Sequence, residues 1–137
     1  MADPSSPLAE ALARVGDRWT LLVVEALLEG PRRFSELGEQ VEGIAPNILS
    51  QRLKHLEREG LVLTEPYTDR PPRYEYRLTA PGKELADALR ALSQWGAQHS
   101  EAEVPRHGAC GSPLEVRWWC PTCAAVADPD EADLRYA

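Results

Sequence analysis

The sequence predicts a mainly α-helical domain with one small β-hairpin, followed by a short extension that contains every cysteine of the chain. Five segments of the first hundred residues have helical periodicity or helix-end signals, whereas residues 61–67 and 73–79 alternate in the manner of paired strands. We therefore place one domain at residues 1–104 and a smaller one at residues 105–137.

The helices are defined by their ends and by their apolar positions. Asp17 can cap the second helix, and Gly30 with Pro31 ends it, because glycine is favoured just beyond a helix and proline cannot continue one. Pro46 suits a first helical position, and Thr79 can cap the last helix. The predicted helices cover residues 8–15, 18–29, 35–41, 46–59 and 80–100. The second leaves almost no polar face, so we expect it to be central and buried.

Two short helices that lead into a third, here residues 46–59, and then a two-stranded hairpin form the plan of a winged helix-turn-helix fold. In that fold the third helix lies in the DNA major groove, and the hairpin loop, or wing, touches the DNA backbone or minor groove. Within residues 46–59, leucines lie on one face, with amide and basic side chains roughly opposite. Asn and Gln can pair with adenine, and Arg and Lys with guanine or phosphate. The candidate DNA-binding residues are Arg32, Arg33, Asn47, Ser50, Gln51, Lys54, Arg58, Arg70 and Arg73.

The charge distribution is compatible with a local basic surface. The formal net charge of −7 by itself disfavours a nucleic-acid ligand. Residues 31–78, however, contain eight basic and eight acidic side chains, so the rest of the chain carries the whole negative excess. The polar face of the third helix also fits the solvated side of an ordinary amphipathic helix, and both interpretations stay open at this point.

Several classes of protein are disfavoured. The N-terminus lacks the basic and apolar regions of a signal peptide, and the longest apolar run, residues 21–28, is too short to span a membrane. We expect a cytoplasmic protein with reduced cysteines and no membrane partner. An enzyme is not expected, because the sequence shows no Ser-His-Asp set, no phosphate-binding loop and no open metal site.

The extension contains two closely spaced pairs of metal-ligating residues. His107 with Cys110, and Cys120 with Cys123, have the spacing at which a short turn can direct both side chains at one ion. Four protein ligands fill a tetrahedral shell, which favours a structural Zn²⁺ in a zinc-ribbon-like unit over a catalytic one. A disulfide, an iron site, and a metal that is released or oxidised as a signal are the alternatives.

Four motifs resemble the HxlR-type winged helix regulators of bacteria, and the resemblance covers residues 7–99. They are Gly16 with Trp19, "GPRRFSEL", "LSQRLKHLEREGLV" and "PPRYEYRLT…G". The resemblance implies a homodimer joined by its terminal helices, with each protomer reading one half-site of a pseudo-palindromic operator in double-stranded DNA. The dimer contacts that it implies are Leu8, Leu12, Leu85, Leu89, Leu92 and Trp95, although the same apolar residues also suit the core of one protomer.

The chain departs from the family pattern at two positions. Many members have a Cys-Pro pair before the tryptophan that matches Trp19, and some use that cysteine for thiol sensing. Here Ser6 and Pro7 stand in its place, so that redox switch is absent. In addition, Ala45 stands where a serine usually caps the recognition helix, which removes a hydrogen bond worth roughly 1 kcal/mol.

These observations predict a transcriptional regulator that binds DNA as a homodimer and holds a structural zinc in its extension. One rival is a metal- or thiol-redox-responsive regulator in which His107 and the three cysteines are the sensor. Another is a winged helix that serves as a protein-interaction module, which the acidic surroundings favour modestly. The sequence identifies no operator and no small-molecule effector.

Overall fold

The computed structural model describes residues 6–131, and this part of the chain contains six α-helices and two two-stranded antiparallel sheets. The chain divides into two compact units, residues 1–90 and 91–137, so the division falls inside the last helix, earlier than the predicted boundary after residue 104. No helix among residues 6–131 is long and apolar enough to cross a bilayer. The elements are α1 Pro7–Val15, α2 Arg18–Leu28, α3 Phe34–Gln40, α4 Pro46–Arg58, β1 Val62–Asp69, β2 Pro72–Leu78, α5 Ala80–Lys83, α6 Ala86–Gln98, β3 Trp118–Cys120, β4 Ala125–Ala127 and a 3₁₀ turn Pro129–Glu131.

The core of the first unit is built where α4 packs against α2. Leu49, Leu53 and Leu56 lie on one face of α4 and are at most 1% exposed, and Val23 and Val24 of α2 are fully buried. Burying a leucine or valine side chain in this way stabilises the fold by roughly 1.5–3 kcal/mol. The prediction of a central second helix holds for one face of α2, whereas the opposite face, which carries Arg18 and Glu25, is exposed. The same cluster is completed from the neighbouring elements by Leu37, Leu61, Val62 and Leu78.

Side-chain hydrogen bonds cap the starts of α1, α2 and α5. Asp17 Oδ1 accepts hydrogen bonds from the backbone N–H groups of Trp19 and Thr20, at 2.9 and 3.1 Å, as the sequence predicts. No side chain caps α4 at Ala45. Helix α3 begins at Phe34, one residue before the predicted start, because the Glu36 carboxylate accepts the N–H of Arg33 at 2.9 Å.

The hairpin is joined to the rest of the unit by its second strand. β1 and β2 pair in antiparallel register from Val62 opposite Leu78 to Asp69 opposite Pro72, with a bulge at Tyr67. The loop before α3 pairs with β2 through a single antiparallel bridge, since Arg32 and Tyr76 exchange backbone hydrogen bonds of 2.9 and 2.7 Å. The orientation of the wing is therefore fixed relative to α3.

The last predicted helix, residues 80–100, is two helices, and the prediction of one continuous helix is wrong. α5 ends at Lys83, and α6 begins at Ala86 after the N–H of Leu85 has bonded to the Gly82 carbonyl at 3.3 Å. Gly82 itself is buried against the hairpin. A Cβ at this position would lie 2.2 Å from the carbonyl oxygen of Leu61, so only glycine allows α5 to pack this closely.

Replacing Gly82 by alanine should therefore destabilise the fold by roughly 1–3 kcal/mol, because backbone must move to admit the methyl group. The matched control is Gly96→Ala, since Gly96 lies within α6 and nothing stands within 4 Å of its Cβ position. That variant should be unchanged or more stable by up to about 1 kcal/mol. Urea unfolding followed by circular dichroism measures both, and equal midpoints for the two variants would contradict the close approach of α5.

The second unit continues from α6 into a small β structure. β3 and β4 form a hairpin in which Trp118, Trp119 and Cys120 pair with Ala127, Val126 and Ala125 respectively. Another turn precedes it, closed by a bridge between Arg106 and Pro113. The unit therefore contains two successive turns, one around each predicted pair of ligands.

Candidate nucleic-acid interface

The outer face of α4 presents the predicted base-reading residues. Asn47, Gln51, Lys54 and Arg58 are exposed and recur at helical spacing on the side opposite the buried leucines, and Ser50 is half-buried beside them. No ion pair within residues 6–131 engages Lys54 or Arg58. Both cationic groups are thus available to a ligand.

Residues on the flank of α4 hold that helix against α1. The His55 ring donates from Nε2 to the carbonyl oxygen of Arg14 at 2.6 Å. Arg14 in turn bonds the Glu59 carboxylate at 2.6 Å and the Glu59 backbone carbonyl at 3.2 Å. The hydrogen bond from Arg14 lowers the pKa of Glu59 below its ordinary value, against a smaller opposing effect of desolvation. His55 is therefore an anchor of α4.

Two further contacts secure α4 along its length. Arg52 Nε lies 3.1 Å from Asp17 Oδ1 at the start of α2, although the N–H is not directed at that oxygen, so the attraction is one of charge. Glu57 accepts a short hydrogen bond from the Thr64 hydroxyl on β1. The helix is therefore attached to α1, α2 and the hairpin by residues other than those of its outer face.

The wing presents two further arginines. Arg70 and Arg73 are exposed on either side of Pro71 and Pro72, and neither belongs to an ion pair among the described residues. The turn is closed by the Thr68 hydroxyl, which donates to the carbonyl oxygen of Pro71 at 2.7 Å. Two prolines and this bond restrict the loop, so a ligand would order it at little entropic cost.

Arg32 and Arg33, also predicted to bind DNA, already have partners within the chain. The Arg32 guanidinium bonds Glu29 at 3.1 Å and Gln40 at 3.2 Å. Arg33 bonds Glu36 at 2.9 Å and also Tyr67 of the wing, and these partners raise its pKa, Glu36 the most. Sequence analysis missed Tyr67, because it reads as an ordinary strand residue and its bulge brings it to α3 only in the fold.

The four predicted metal ligands lie in two turns of similar geometry. His107 Nδ1 is 3.3 Å from Cys110 Sγ, and the residue after that cysteine, Gly111, has φ of +71°. In the second turn Ala124 follows Cys123 with φ of +51°, a left-handed conformation that costs an alanine roughly 1–2 kcal/mol. In both turns the residue directly after the cysteine is therefore in the left-handed region.

Hydrogen bonds in both turns favour thiolates. Bonds from the Ser112 side chain and backbone, with a smaller one from His107, lower the pKa of Cys110 to about 7. The backbone and thiol of Cys123, together with the Thr122 N–H, lower the pKa of Cys120. Thiolate is the form that binds zinc, so the donor set fits that ion.

The structure brings each pair of ligands together but does not gather all four. Within residues 6–131 no group of three or more His, Cys, Asp or Glu side chains surrounds a common point. The three cysteines form no disulfide. The observed arrangement is therefore two prepared turns rather than an assembled tetrahedral site.

The residues implied as dimer contacts fall into two groups. Leu8, Leu12, Leu92 and Trp95 are between 52% and 67% exposed. Leu89, in contrast, is 9% exposed and belongs to the core, and Leu85 is partly buried against it. Only the first group leaves side-chain surface for another molecule.

Helices α2, α3 and α4, the paired wing and the free polar face of α4 define a winged helix-turn-helix transcriptional regulator. The family model described as HxlR-like helix-turn-helix matches residues 14–104, and the chain belongs to this family. The chain is 40% identical over 121 residues to an uncharacterized HTH-type transcriptional regulator of Mycobacterium tuberculosis, covering 85% of this chain and 76% of the relative. It is 39% identical over 89 residues to the Bacillus subtilis regulator YkvN, covering 65% and 75%.

Two solved structures show how far the similarity extends. The crystal structure of PA1607, described as a candidate transcription factor, is 28% identical with a TM-score of 0.78 and covers 98% of this chain and 96% of its own. The reduced form of the Bacillus subtilis regulator YodB is 31% identical with a TM-score of 0.61, covering 74% and 97%. Both the PA1607 match and the mycobacterial alignment cover more than the 104 residues of the predicted first domain, so both include part of the extension.

The α1–α4 contact generates a prediction about pH. Because the folded-state pKa of Glu59 is lowered, its pair with Arg14 stabilises the fold above about pH 4.3 and loses this effect as the pH falls through the lowered pKa. Arg14→Ala should therefore lower the urea midpoint at about pH 7, and the deficit should shrink below about pH 4. Urea titrations of both proteins across this range measure the difference.

Arg90→Ala is the control for that experiment, because its pair with Asp87 lies within one helix at 69% and 97% exposure. An exposed pair of this kind contributes little, so its midpoint at neutral pH should stay close to that of the unmodified chain. A deficit for Arg14→Ala that is independent of pH would show that only its bond to the Glu59 backbone matters.

Proposed function

We propose that the protein binds double-stranded DNA in a sequence-specific manner as a homodimer, in the cytoplasm, with a structural Zn²⁺ in the extension. The observation that carries the DNA-binding part is the distribution of partners among the basic side chains. Lys54, Arg58, Arg70 and Arg73 are exposed and outside any ion pair of the described residues, while Arg32 and Arg33 are held by carboxylates.

The free groups suit two different tasks on DNA. Asn47 and Gln51 of α4 present amides, which can pair bidentately with adenine in the major groove. Lys54 and Arg58 extend the same stripe toward guanine or phosphate, and the wing arginines suit phosphate or the minor groove. Arg32 and Arg33 serve in this proposal mainly to fix α3 and the wing, and their contribution to phosphate binding is secondary.

Removing one cationic contact should weaken binding to all DNA sequences. Arg58→Ala and Arg73→Ala should each reduce the slope of log K against log salt by about one unit, because each lost phosphate contact releases one fewer counterion. Fluorescence anisotropy with a duplex selected from a random pool, titrated over a range of salt, measures affinity and slope together. The operator selected in that way should be a pseudo-palindrome with half-sites about one helical turn apart.

Lys83→Ala is the matched control, since Lys83 is exposed but lies on α5 beside the C-terminal end of α2. Its slope should equal that of the unmodified protein. If Arg58→Ala and Arg73→Ala also keep the original slope, these residues are not in the interface. If the unmodified chain selects no DNA at all, the winged helix serves protein contacts instead.

The zinc part rests on the two matching turns. Each turn places hydrogen-bond donors at a cysteine sulfur, which lowers the thiol pKa and prepares it for a cation. His107, Cys110, Cys120 and Cys123 would hold the ion, and a filled shell of four protein ligands leaves no position for a substrate. The ion would therefore cross-link the two turns of a segment that is too small to bury a core of its own.

Zinc content tests this directly. The purified chain should contain about one Zn²⁺ per protomer, and Cys120→Ser should lose it, because an alcohol is a far weaker ligand than a thiolate. Thr122→Ala changes a neighbouring side chain in the same turn and should retain the metal. Elemental analysis after gel filtration measures both, and a metal-free wild-type chain prepared without chelator would overturn the assignment.

A second candidate function is favoured by the exposure of the thiols. Cys110 and Cys123 are exposed, so an oxidant can reach both sulfur atoms. In this function, oxidation would release the metal and change operator affinity. Peroxide treatment of the zinc-containing protein separates the two ideas, because loss of zinc with unaltered DNA affinity is the result for a structural site.

A further inference from the structure

The second unit exposes an unusual amount of large apolar side chain. Seven residues between α6 and β4 expose 45–62% of their surface, and three of them are tryptophans. We call this set the apolar tail surface. It consists of Leu92, Trp95, Leu114, Val116, Trp118, Trp119 and Val126.

The parts of this surface are connected. Gln94 of α6 donates from its side chain to the carbonyl oxygen of Leu114 at 2.7 Å, which places the following segment alongside the helix. A shallow groove of about 320 Å³ runs between them, with Trp95 on one wall and Val116 on the other. The exposed stripe of α6 thus continues onto the segment of residues 105–131, which we call the tail.

The tail cannot cover these residues by itself. Trp119 stands opposite Val126 on one face of the β3–β4 hairpin, and Trp118 stands opposite Ala127 on the other face. Both tryptophans remain about 60% exposed, so neither face has a covering layer within the described residues. A two-stranded hairpin of this kind is marginally stable alone and gains from packing against another element.

The charge of this unit disfavours nucleic acid and anionic membranes as the covering partner. Residues 91–131 contain six acidic side chains and two arginines, a balance of −4. The surface therefore repels phosphate, and a protein surface rich in apolar side chains is the chemistry that it fits.

We propose that the apolar tail surface packs against a second copy of this chain, so that the tail forms part of the homodimer interface. This rests on the homodimer of the proposed function. One interface covers only one face of the hairpin, so Trp95 and one of the two hairpin tryptophans count toward it. An aromatic side chain buries about 150–250 Å², and the exposed parts of two tryptophans therefore supply roughly 200–300 Å². With the aliphatic side chains on the same side, the tail supplies a substantial part of the ~800 Å² per partner of a standard interface.

A second copy fits better than an unrelated protein for a geometric reason. A two-fold interface uses the same patch on both partners, so a self-complementary apolar surface is covered on both chains at once. The surface also includes Leu92 and Trp95, two of the residues already implied as dimer contacts. Tryptophan is the residue most enriched at the energetic centres of interfaces.

The test is the monomer–dimer equilibrium of the full-length chain. The double variant Trp118→Ser with Trp119→Ser should raise the dimer dissociation constant by roughly 30-fold or more, as loss of a central tryptophan does elsewhere. The single variants separate the two faces of the hairpin, and the one that faces the partner should account for most of the effect. Sedimentation equilibrium over a range of concentrations measures each constant.

Tyr74→Ser is the matched control, because Tyr74 is an aromatic residue with 54% exposure on the wing, outside the proposed surface. It should leave the dissociation constant unchanged. Hydrogen exchange on the unmodified chain gives a second readout that needs no substitution. Backbone amides of residues 114–119 should become more protected as the protein concentration rises through the dissociation constant.

The outcomes distinguish this inference from the homodimer itself. A wild-type dimer whose dissociation constant and tail protection do not respond to either test overturns the tail contact and leaves the homodimer intact. A wild-type chain that stays monomeric at every concentration overturns both. A dimer weakened by Trp95→Ser but not by the tail variants would restrict the interface to α6.

Discussion

The packing of α4 on α2 is the contact on which the rest of the DNA-binding unit depends. Leu49, Leu53 and Leu56 are buried against the fully buried valines of α2. Because this packing fixes the inner face of α4, it also determines which side chains of α4 point outward. Leu61, at the end of the same helix, connects it to the next elements. Its N–H bonds the carbonyl of Leu56, and its own carbonyl lies against Gly82 of α5. Losing this apolar contact would release both α4 and the wing.

Ion pairing explains how an acidic chain can present a basic surface. Two carboxylates near the interface are paired with arginines of the same unit, Glu59 with Arg14 and Glu36 with Arg33. The cations on the outer face of α4 and on the wing have no such partner among the described residues. The local field at that face is therefore set by a few unpaired charges, and not by the net charge of −7.

The helical faces could be predicted because periodicity is a local property. The buried leucines of α4, the cap at Asp17 and the wing all follow from neighbouring residues, and the structure agrees with each. What sequence reasoning missed depends on distant contacts. Arg33 meets Tyr67 across 34 residues, Leu89 is drawn into the core, and α5 stops where Gly82 meets Leu61. Likewise, the spacing of the residues predicted two pairs of metal ligands. The structure shows each pair but does not bring the two pairs together around one point among the described residues.

The attachments of α4 have a consequence for how such regulators diverge. The core uses positions 49, 53 and 56, and the ties to α1, α2 and β1 use positions 52, 55, 57 and 59. Positions 47, 51, 54 and 58 take part in neither. Substitutions at these four can accumulate with little penalty to folding, so a duplicated gene could acquire a new target site without first passing through an unstable intermediate.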